Sequence, residues 1–232
     1  MSAAAVVAEL AARVQAMEAT RPARTALALD DAGHALLPDG LVAGNTYLIE
    51  GSTTLAAALA ASACAPGYWS AVIGVPALGA EAAHAHGLDL DRTLLVPDPG
   101  PDWCEVVAAV IEAVSVVVLT PPSRPSPGEV ARISARLRAR TAALILLAED
   151  EAGPARAWPR VASRITLHGS RWRGIGEGRG HLTGRELGIE VTTRSAPPRR
   201  VTLIQQIDGL RRPSEGSQSA EGRRGVDIQV AS

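Results

Sequence analysis

The sequence predicts an α/β fold in which a mostly parallel sheet is flanked by helices and extended by antiparallel strands near its C-terminal end. Between residues 46 and 148, short β-rich runs alternate with helical patterns, which is typical of parallel strands joined by helices. Two runs, residues 114–119 and 141–148, are almost continuously apolar, as expected for strands buried on both faces. After Pro154 the runs alternate in polarity and are separated by glycine- and proline-rich turns, which favours antiparallel pairing.

The composition of the chain restricts the chemistry that it can perform. All 23 basic residues are arginine, so no lysine is present to contact a nucleotide phosphate, to form a Schiff base or to act as a general base. Residues 1–153 carry nine arginines and 17 acidic residues, whereas residues 154–212 carry 12 arginines and four acidic residues. The basic second part indicates an acidic partner or nucleic acid, or else arginines that are simply solvated on strand faces.

The first part of the chain is predicted to stand apart from the core. Residues 1–31 have the pattern of an amphipathic helix followed by a polar linker, with Val6, Leu10 and Val14 on one apolar stripe. This stripe packs either on its own domain or on another subunit or partner. The start of the chain lacks the basic region of a signal peptide, and the longest apolar run is shorter than the ~20 residues that span a bilayer. We therefore expect a cytoplasmic protein without membrane contact.

The core is predicted to cover residues 32–207. A turn leads into a strand at residues 46–50, and Gly51 separates this strand from a helix that opens on Ser52. Helices are predicted at residues 53–64, 79–86, 102–113 and 126–140, and strands at residues 69–75, 93–97, 114–119 and 141–148.

The last parts of the chain are predicted to be an antiparallel extension and a tail. The extension covers residues 160–207 and contains alternating runs at residues 164–172, 185–194 and 201–206. Residues 208–232 are rich in glycine, serine, glutamate and arginine, so we expect them to be disordered.

Several segments, in their order and spacing, resemble the core of the RecA-type ATPases over roughly residues 36–206. The DGLxxG sequence at residues 39–44, followed by a strand and then by GxTTL at residues 51–55, resembles the entry to the P-loop. The GLDLDxxLL sequence at residues 87–95 resembles the stretch that leads into a later core strand, and residues 114–120 lie where the Walker B strand would be. The alternating runs of the extension resemble the C-terminal hairpins. This resemblance implies a RecA-like core.

More narrowly, the chain is similar to the ImuA-type proteins, especially their actinobacterial variant. Those proteins are RecA-like accessory factors of a DNA-damage-inducible mutagenesis cassette. They work beside a Y-family polymerase homologue, the ImuB partner, and an error-prone replicative-type polymerase. The resemblance therefore implies a role in translesion synthesis and the SOS response, with the ImuB-type protein as the direct partner and the replicative polymerase as an indirect one.

The chain departs from the RecA pattern at each group that would handle ATP. Only Gly51 stands in place of the P-loop, and Ser52 replaces the lysine that reaches the phosphates. Thr53 matches the hydroxyl that binds Mg²⁺, and Thr54 follows it, but no phosphate cradle precedes them. The Walker B aspartate position is occupied by Thr120. Since phosphoryl transfer depends on positioning and electrostatics, we predict a degenerate site with no catalytic residues, no bound ATP and no cofactor.

A second candidate site lies in the extension. Arg171, Trp172 and Arg173 precede a run of alternate glycines, and Arg179 and Arg185 flank that run. One interpretation is a hairpin turn with Trp172 packed on its own sheet. The other is a recognition surface for a protein or for single-stranded nucleic acid, because tryptophan and arginine are frequent anchors in both kinds of interface.

Two further features have simpler interpretations. Trp158 lies on the connection after the last parallel strand and is either a core residue or a contact for a partner. His84 and His86 could ligate a metal, but two residues apart on a helix they do not face one another, and no third ligand is near in the sequence. We therefore predict no metal site.

The sequence as a whole favours a non-catalytic, RecA-like adaptor that binds an ImuB-type Y-family polymerase homologue in DNA-damage-induced mutagenesis. The alternative is a module that binds single-stranded DNA, or modulates RecA, through the basic residues 154–212.

Overall fold

The computed structural model describes residues 26–64, 68–149, 153–176, 179–194 and 196–213. The predicted N-terminal helix, with Val6, Leu10 and Val14, lies outside these residues, as does the tail from residue 214 onwards. Within them the chain is an α/β structure whose large, mostly parallel sheet is flanked by helices and extended by antiparallel C-terminal strands. This confirms the predicted fold class.

The described helices and strands follow one another in an alternating order. In sequence they are β1 (Ala26–Leu27), α1 (Asp31–Leu36), β2 (Leu41–Val42), β3 (Thr46–Glu50), α2 (Thr53–Ala63), β4 (Ser70–Ile73), α3 (Ala80–Ala85), β5 (Thr93–Val96), α4 (Trp103–Val110), β6 (Val116–Leu119), α5 (Pro127–Arg140), β7 (Ala143–Ala148), β8 (Ser163–Gly176), β9 (Arg179–Thr193), β10 (Arg199–Gln206) and β11 (Gly209–Arg211). Short 3₁₀ helices at Leu90–Arg92 and Pro154–Ala157 lie just before β5 and between β7 and β8.

The described strands β3 to β11 form one sheet in the order β11-β10-β9-β8-β3-β7-β6-β4-β5. The five pairings from β8 to β5 are parallel, and the three from β8 to β11 are antiparallel. Strand β3, which directly precedes Gly51, therefore lies inside the sheet, between β7 and β8. Strand β8 joins the two halves of the sheet, because it pairs in parallel with β3 on one edge and antiparallel with β9 on the other.

Apolar side chains fill both faces of the sheet, so the parallel strands β3, β4, β6 and β7 are buried on both sides. On β3, Tyr47 and Ile49 pack in the cluster that contains α1 and α2, whereas Leu48 packs in the opposite cluster with α4 and α5. Helix α2 contributes mainly alanines, with Leu55 and Leu59 fully buried against the sheet. The result is a three-layer arrangement with an almost entirely aliphatic core.

The start of α5 follows the capping pattern that its sequence predicts. The Ser126 hydroxyl accepts a hydrogen bond from the backbone N–H of Glu129 at 3.3 Å, and the Glu129 carboxylate accepts one from the backbone N–H of Ser126 at 2.7 Å. Pro127 occupies the first helical position, where its missing N–H costs no hydrogen bond. The hydrogen bonds to the carboxylate lower the pKa of Glu129 from its ordinary value.

Three local features differ from the sequence-based expectation. Strands β1 and β2 pair with one another, and α1 follows β1, where a linker was predicted up to residue 31. Strand β8 begins as a parallel neighbour of β3 rather than as a purely antiparallel strand. Strand β11 lies within the tail predicted from residue 208 and pairs with β10. The pairing of β8 with β3 joins segments more than 100 residues apart, which the local sequence pattern does not report.

Replacing Gly74 by alanine should destabilise the protein far more than the same change at Gly100. Both glycines have positive φ values, +73° and +70°, which cost an alanine ~1–2 kcal/mol. At Gly74 an added Cβ would also lie 2.2 Å from the carbonyl oxygen of Thr120, whereas nothing lies within 4 Å at Gly100. We expect losses in the free energy of unfolding of at least ~3 kcal/mol and ~1 kcal/mol respectively, measured by urea denaturation. Equal losses would contradict this packing argument.

Candidate functional site

The corner between β3 and α2 has the backbone path of a phosphate site but not its length. Gly51 adopts φ +82° and donates its N–H to the carbonyl oxygen of Ala148 at 3.0 Å. The next residue, Ser52, is already the N-cap of α2. A phosphate cradle requires several successive loop N–H groups directed at one point. With one residue between the strand and the cap, the corner does not provide them.

The first turn of α2 is satisfied by the protein's own side chains. The Ser52 hydroxyl accepts a hydrogen bond from the backbone N–H of Leu55 at 3.1 Å, which is the usual N-cap arrangement. The Thr53 hydroxyl donates to the Glu149 carboxylate at 3.1 Å. Thr54 follows at a half-buried position. A carboxylate at a helix N-terminus is electrostatically favourable, and it would repel a phosphate brought to the same place.

A buried ion pair lies directly beside this corner. Glu50 is 5% exposed and is the last residue of β3. Its Oε1 atom lies 3.0 Å from Nε of Arg156 and also accepts a hydrogen bond from Arg164, while its Oε2 atom accepts one from the hydroxyl of Thr166 at 2.8 Å. These four residues, which we term the Glu50 cluster, connect β3 to β8 and to the 3₁₀ helix at Pro154–Ala157. The carboxylate is fully engaged in structural contacts.

The sequence analysis missed the Glu50 cluster. One feature of the sequence indicates such a cluster: Glu50 ends a strand whose other residues are apolar or small. An acidic residue in such a strand is almost never buried without a partner. The partners were not visible, because they lie more than 100 residues later in the chain.

Thr120 occupies the position that corresponds to the Walker B aspartate in the resemblance to RecA-type ATPases. It follows β6, and its backbone N–H donates to the carbonyl oxygen of Ile73 at 3.0 Å. Its hydroxyl oxygen is buried and has no hydrogen-bond partner among the described residues. Val75, which follows the neighbouring strand β4, is part of the apolar core. The side chains at these two positions, just after β6 and β4, are therefore a hydroxyl and an aliphatic group.

The second predicted site lies on the β8–β9 hairpin, and the structure divides its residues between two faces. Trp172 and Arg185 are cross-strand partners, and the Arg185 guanidinium lies 5.2 Å from the centre of the Trp172 ring, within cation–π range. Arg173 forms an ion pair with Glu186 at 3.0 Å. Arg171 is exposed.

Arg179 begins β9, but its side chain lies outside the described part of the hairpin. The structure therefore brings together Trp172 and Arg185 from the predicted set.

A groove opens beside the Trp172–Arg185 pair. It has a volume of about 270 Å³ and lies between the end of α3 and strands β8, β9 and β10. Its lining also includes His86, whose Nδ1 atom is buried without a hydrogen-bond partner in the described structure, and two exposed aliphatic side chains, Leu182 and Ile207. The sequence analysis did not predict this groove, because helix α3 lies far from the hairpin along the chain.

Two other candidates have structural positions. Trp158 is 5% exposed and packs in the apolar cluster with α4 and α5, so its side chain is a core residue rather than a surface contact. The Nδ1 atom of His84 lies 3.3 Å from the carbonyl oxygen of Leu88. Among the described residues no three histidine, cysteine, aspartate or glutamate side chains come together in a way that could hold a metal ion.

A further surface lies at the opposite edge of the sheet. Strand β5 is the last strand on that side within the described residues, so one row of its backbone groups is unpaired there. Leu94 and Leu95 point to opposite faces of β5 and are 43% and 42% exposed. Tyr68 and Trp69, just before the neighbouring strand β4, are also exposed. We term these four residues the β5 edge surface.

No described helix is long and apolar enough to span a bilayer.

Replacing Glu50 by glutamine should destabilise the protein by about 2 kcal/mol, because it leaves Arg156 and Arg164 beside an uncharged group. A fully buried ion pair that loses one partner costs ~3–5 kcal/mol, and the 35% and 39% exposure of these arginines reduces the penalty. The matched control is Glu112→Gln, which breaks exposed pairs with Arg136 and Arg140 and should cost less than ~1 kcal/mol. Urea denaturation measures both, and equal losses would contradict the structural role of the Glu50 cluster.

Comparisons with known proteins place this geometry in a family. The Mycobacterium tuberculosis (strain ATCC 25618 / H37Rv) protein Rv3395c, described as uncharacterized, is 38% identical over 82 residues, which are 35% of this chain and 40% of that protein. The chain thus spans less than half the length of this relative. The family described as the MT3502 N-terminal domain matches residues 35–160, which include the degenerate corner, Thr120 and most of the parallel strands. Because this match covers more than half of the 232 residues, the chain belongs to the MT3502 N-terminal domain family.

Proposed function

We propose that this protein is a non-catalytic, RecA-like adaptor that binds an ImuB-type Y-family polymerase homologue during DNA-damage-induced mutagenesis. The observation that carries the proposal is the corner at Gly51, where a strand, a glycine and a helix resemble a nucleotide-binding frame but its chemical groups are replaced or engaged. Ser52 caps the helix, Thr53 is hydrogen-bonded to Glu149, and Glu50 is held by two arginines.

The sheet order supports the RecA-like part of the proposal. The strand that enters the degenerate P-loop lies inside the sheet, and the strand that ends at Thr120 is separated from it only by β7. Antiparallel strands follow the parallel ones at the C-terminal side, as the resemblance to RecA-type ATPases implies. The role in mutagenesis and the two polymerase partners rest on the resemblance to ImuA-type proteins. A mycobacterial relative is compatible with the actinobacterial variant of that family.

The β5 edge surface is the part of the described structure best suited to a protein partner. Single exposed apolar side chains are normal, but here Leu94 and Leu95 flank an open sheet edge on its two faces, and Tyr68 and Trp69 lie exposed just before the neighbouring strand. An edge strand also offers unpaired backbone groups to which an extended segment can add. An adaptor requires such a surface, whereas an enzyme acting on a small molecule requires a concave site.

Binding to the Y-family homologue should depend on the β5 edge surface. In a pull-down with the purified homologue, we expect a complex with the full chain and at least ~10-fold weaker binding with the Leu94→Asp/Leu95→Asp variant, since an interface anchor is worth ~2 kcal/mol or more. The control is Ala135→Asp, which places the same carboxylate at an exposed position of α5. The absence of a complex with the full chain would disprove the proposal, and saturable micromolar ATP binding would disprove its non-catalytic part.

The second candidate function is binding of single-stranded DNA through the basic residues 154–212. The excess of 12 arginines over four acidic residues favours it. Several of these arginines are engaged within the protein, however. Arg156 and Arg164 contact Glu50, Arg173 contacts Glu186, and Arg199 donates to the carbonyl oxygen of Ala35. The charge available to a polyanion is therefore smaller than the composition indicates.

A gel shift with single-stranded DNA distinguishes the two candidate functions. For the adaptor we expect no shift at an ionic strength of about 0.15 M. Phosphate-driven binding would instead weaken steeply with added salt, because bound counterions are released. It would also weaken in Arg194→Gln/Arg200→Gln, two exposed arginines of the basic part, but not in the control Arg92→Gln. That combined result would favour the second function over the first.

A further inference from the structure

The groove beside Trp172 and Arg185 has the chemistry of a peptide site. Its base is the extended face of β8, β9 and β10, on which Trp172, Arg185 and Gln205 occupy neighbouring register positions. One wall is the end of α3, with Ala85 and His86. A volume of about 270 Å³ between them accommodates a few side chains of an extended segment rather than a folded domain.

The polar atoms of the groove are suited to a carboxylate. The Nε atom of Arg185 is buried without a hydrogen-bond partner in the described structure, and burial lowers the pKa of this guanidinium from its ordinary value. The described lining contains no acidic side chain. Glu186, the adjacent acid, is paired with Arg173. A carboxylate in the groove would supply the missing hydrogen-bond acceptor for Arg185. Charge-assisted hydrogen bonds between arginine and a carboxylate are strong and geometrically specific.

The apolar part of the groove is suited to aliphatic side chains. Leu182 is 54% exposed and Ile207 is 89% exposed, and both border the groove. These two side chains remain in water unless a ligand covers them. The matching ligand is therefore an extended segment that carries an acidic residue between aliphatic ones.

The chain contains such a segment close by in sequence. Residues 226–230 read Val-Asp-Ile-Gln-Val, in which the aliphatic side chains alternate with polar ones. The described structure ends at Pro213, just after β11, and β11 pairs with β10, which carries Gln205 and Gln206 at the groove. The 12 residues 214–225 can extend up to ~40 Å, whereas adjacent strands are only ~5 Å apart. The segment can therefore reach the groove of its own molecule.

We propose that this groove is a peptide-binding site for an acidic, aliphatic extended segment, and that residues 226–230 of the same chain occupy it. The Asp227 carboxylate pairs with Arg185 on one side of the extended segment, and Val226, Ile228 and Val230, which point to its other side, contact Leu182 and Ile207. A linker of this length gives an effective concentration in the millimolar range, so even a weak contact is largely occupied in cis. The proposal is independent of the adaptor function.

The test uses full-length chains and a fluorescein-labelled peptide of residues 224–232, followed by fluorescence anisotropy. One chain is the wild type, and the second carries Val226→Ser, Asp227→Asn and Ile228→Ser, which should empty the groove. We expect the substituted chain to bind the peptide at least ~10-fold more tightly than the wild type, because the wild-type tail competes. The control chain carries Glu215→Gln and Glu221→Gln, and should behave like the wild type.

The site is located by two further substitutions in the chain with the emptied groove. Arg185→Gln should weaken peptide binding at least ~10-fold, as expected for the loss of a charge-assisted pair. Ile207→Asp should do the same, and its 89% exposure makes unfolding an improbable cause. The proposal is overturned if the peptide binds neither chain, if wild-type and substituted chains bind it equally, or if both groove variants bind it as well as their parent.

Discussion

The described structure depends on one buried carboxylate. Glu50 ends the central strand β3 and is nearly inaccessible to water, yet it contacts Arg164 and Thr166 of β8 and Arg156 of the preceding 3₁₀ helix. An uncompensated charge in this position would be costly, so the strand can end there only if Arg156, Arg164 and Thr166 are in place. The carboxylate thereby couples the parallel half of the sheet to the antiparallel half. It also holds the 3₁₀ helix at Pro154–Ala157, which lies between β7 and β8 in the chain, through Arg156.

The side-chain contacts around the corner at Gly51 also limit which ligands this corner can bind. In a nucleotide-binding protein, the carboxyl ends of parallel strands and the adjacent helix N-terminus supply free donors to a ligand. Here the donors and acceptors of this region are engaged with one another. Ser52 caps α2, Glu149 accepts from Thr53, and the arginines nearest the corner face Glu50. The residues of this corner thus contribute to packing, and the exposed apolar side chains described above lie at the two ends of the sheet.

The sequence predicted the parts of the fold that are encoded locally. The period of apolar residues located α2, α5 and the buried strands to within a few residues. Contacts between distant segments were not predictable in this way. The parallel pairing of β8 with β3, the Glu50 cluster and the groove between α3 and the hairpin all join residues that are far apart in the chain. Of the predicted surface set, the pairing of Trp172 with Arg185 followed from the register of one hairpin, whereas the burial of Trp158 required the tertiary fold.

The position of β3 also has a consequence for biosynthesis. Both neighbours of this strand are synthesised long after it, and the contact between Glu50 and Arg164 closes a loop of 114 residues. At typical translation rates the ribosome needs on the order of ten seconds to add that much chain. Throughout this interval the central strand has two open edges and an apolar surface on each face. Sheets completed by such late, long-range pairing fold slowly and are exposed to misassociation, so the nascent chain is a natural substrate for chaperones that shield unpaired strands.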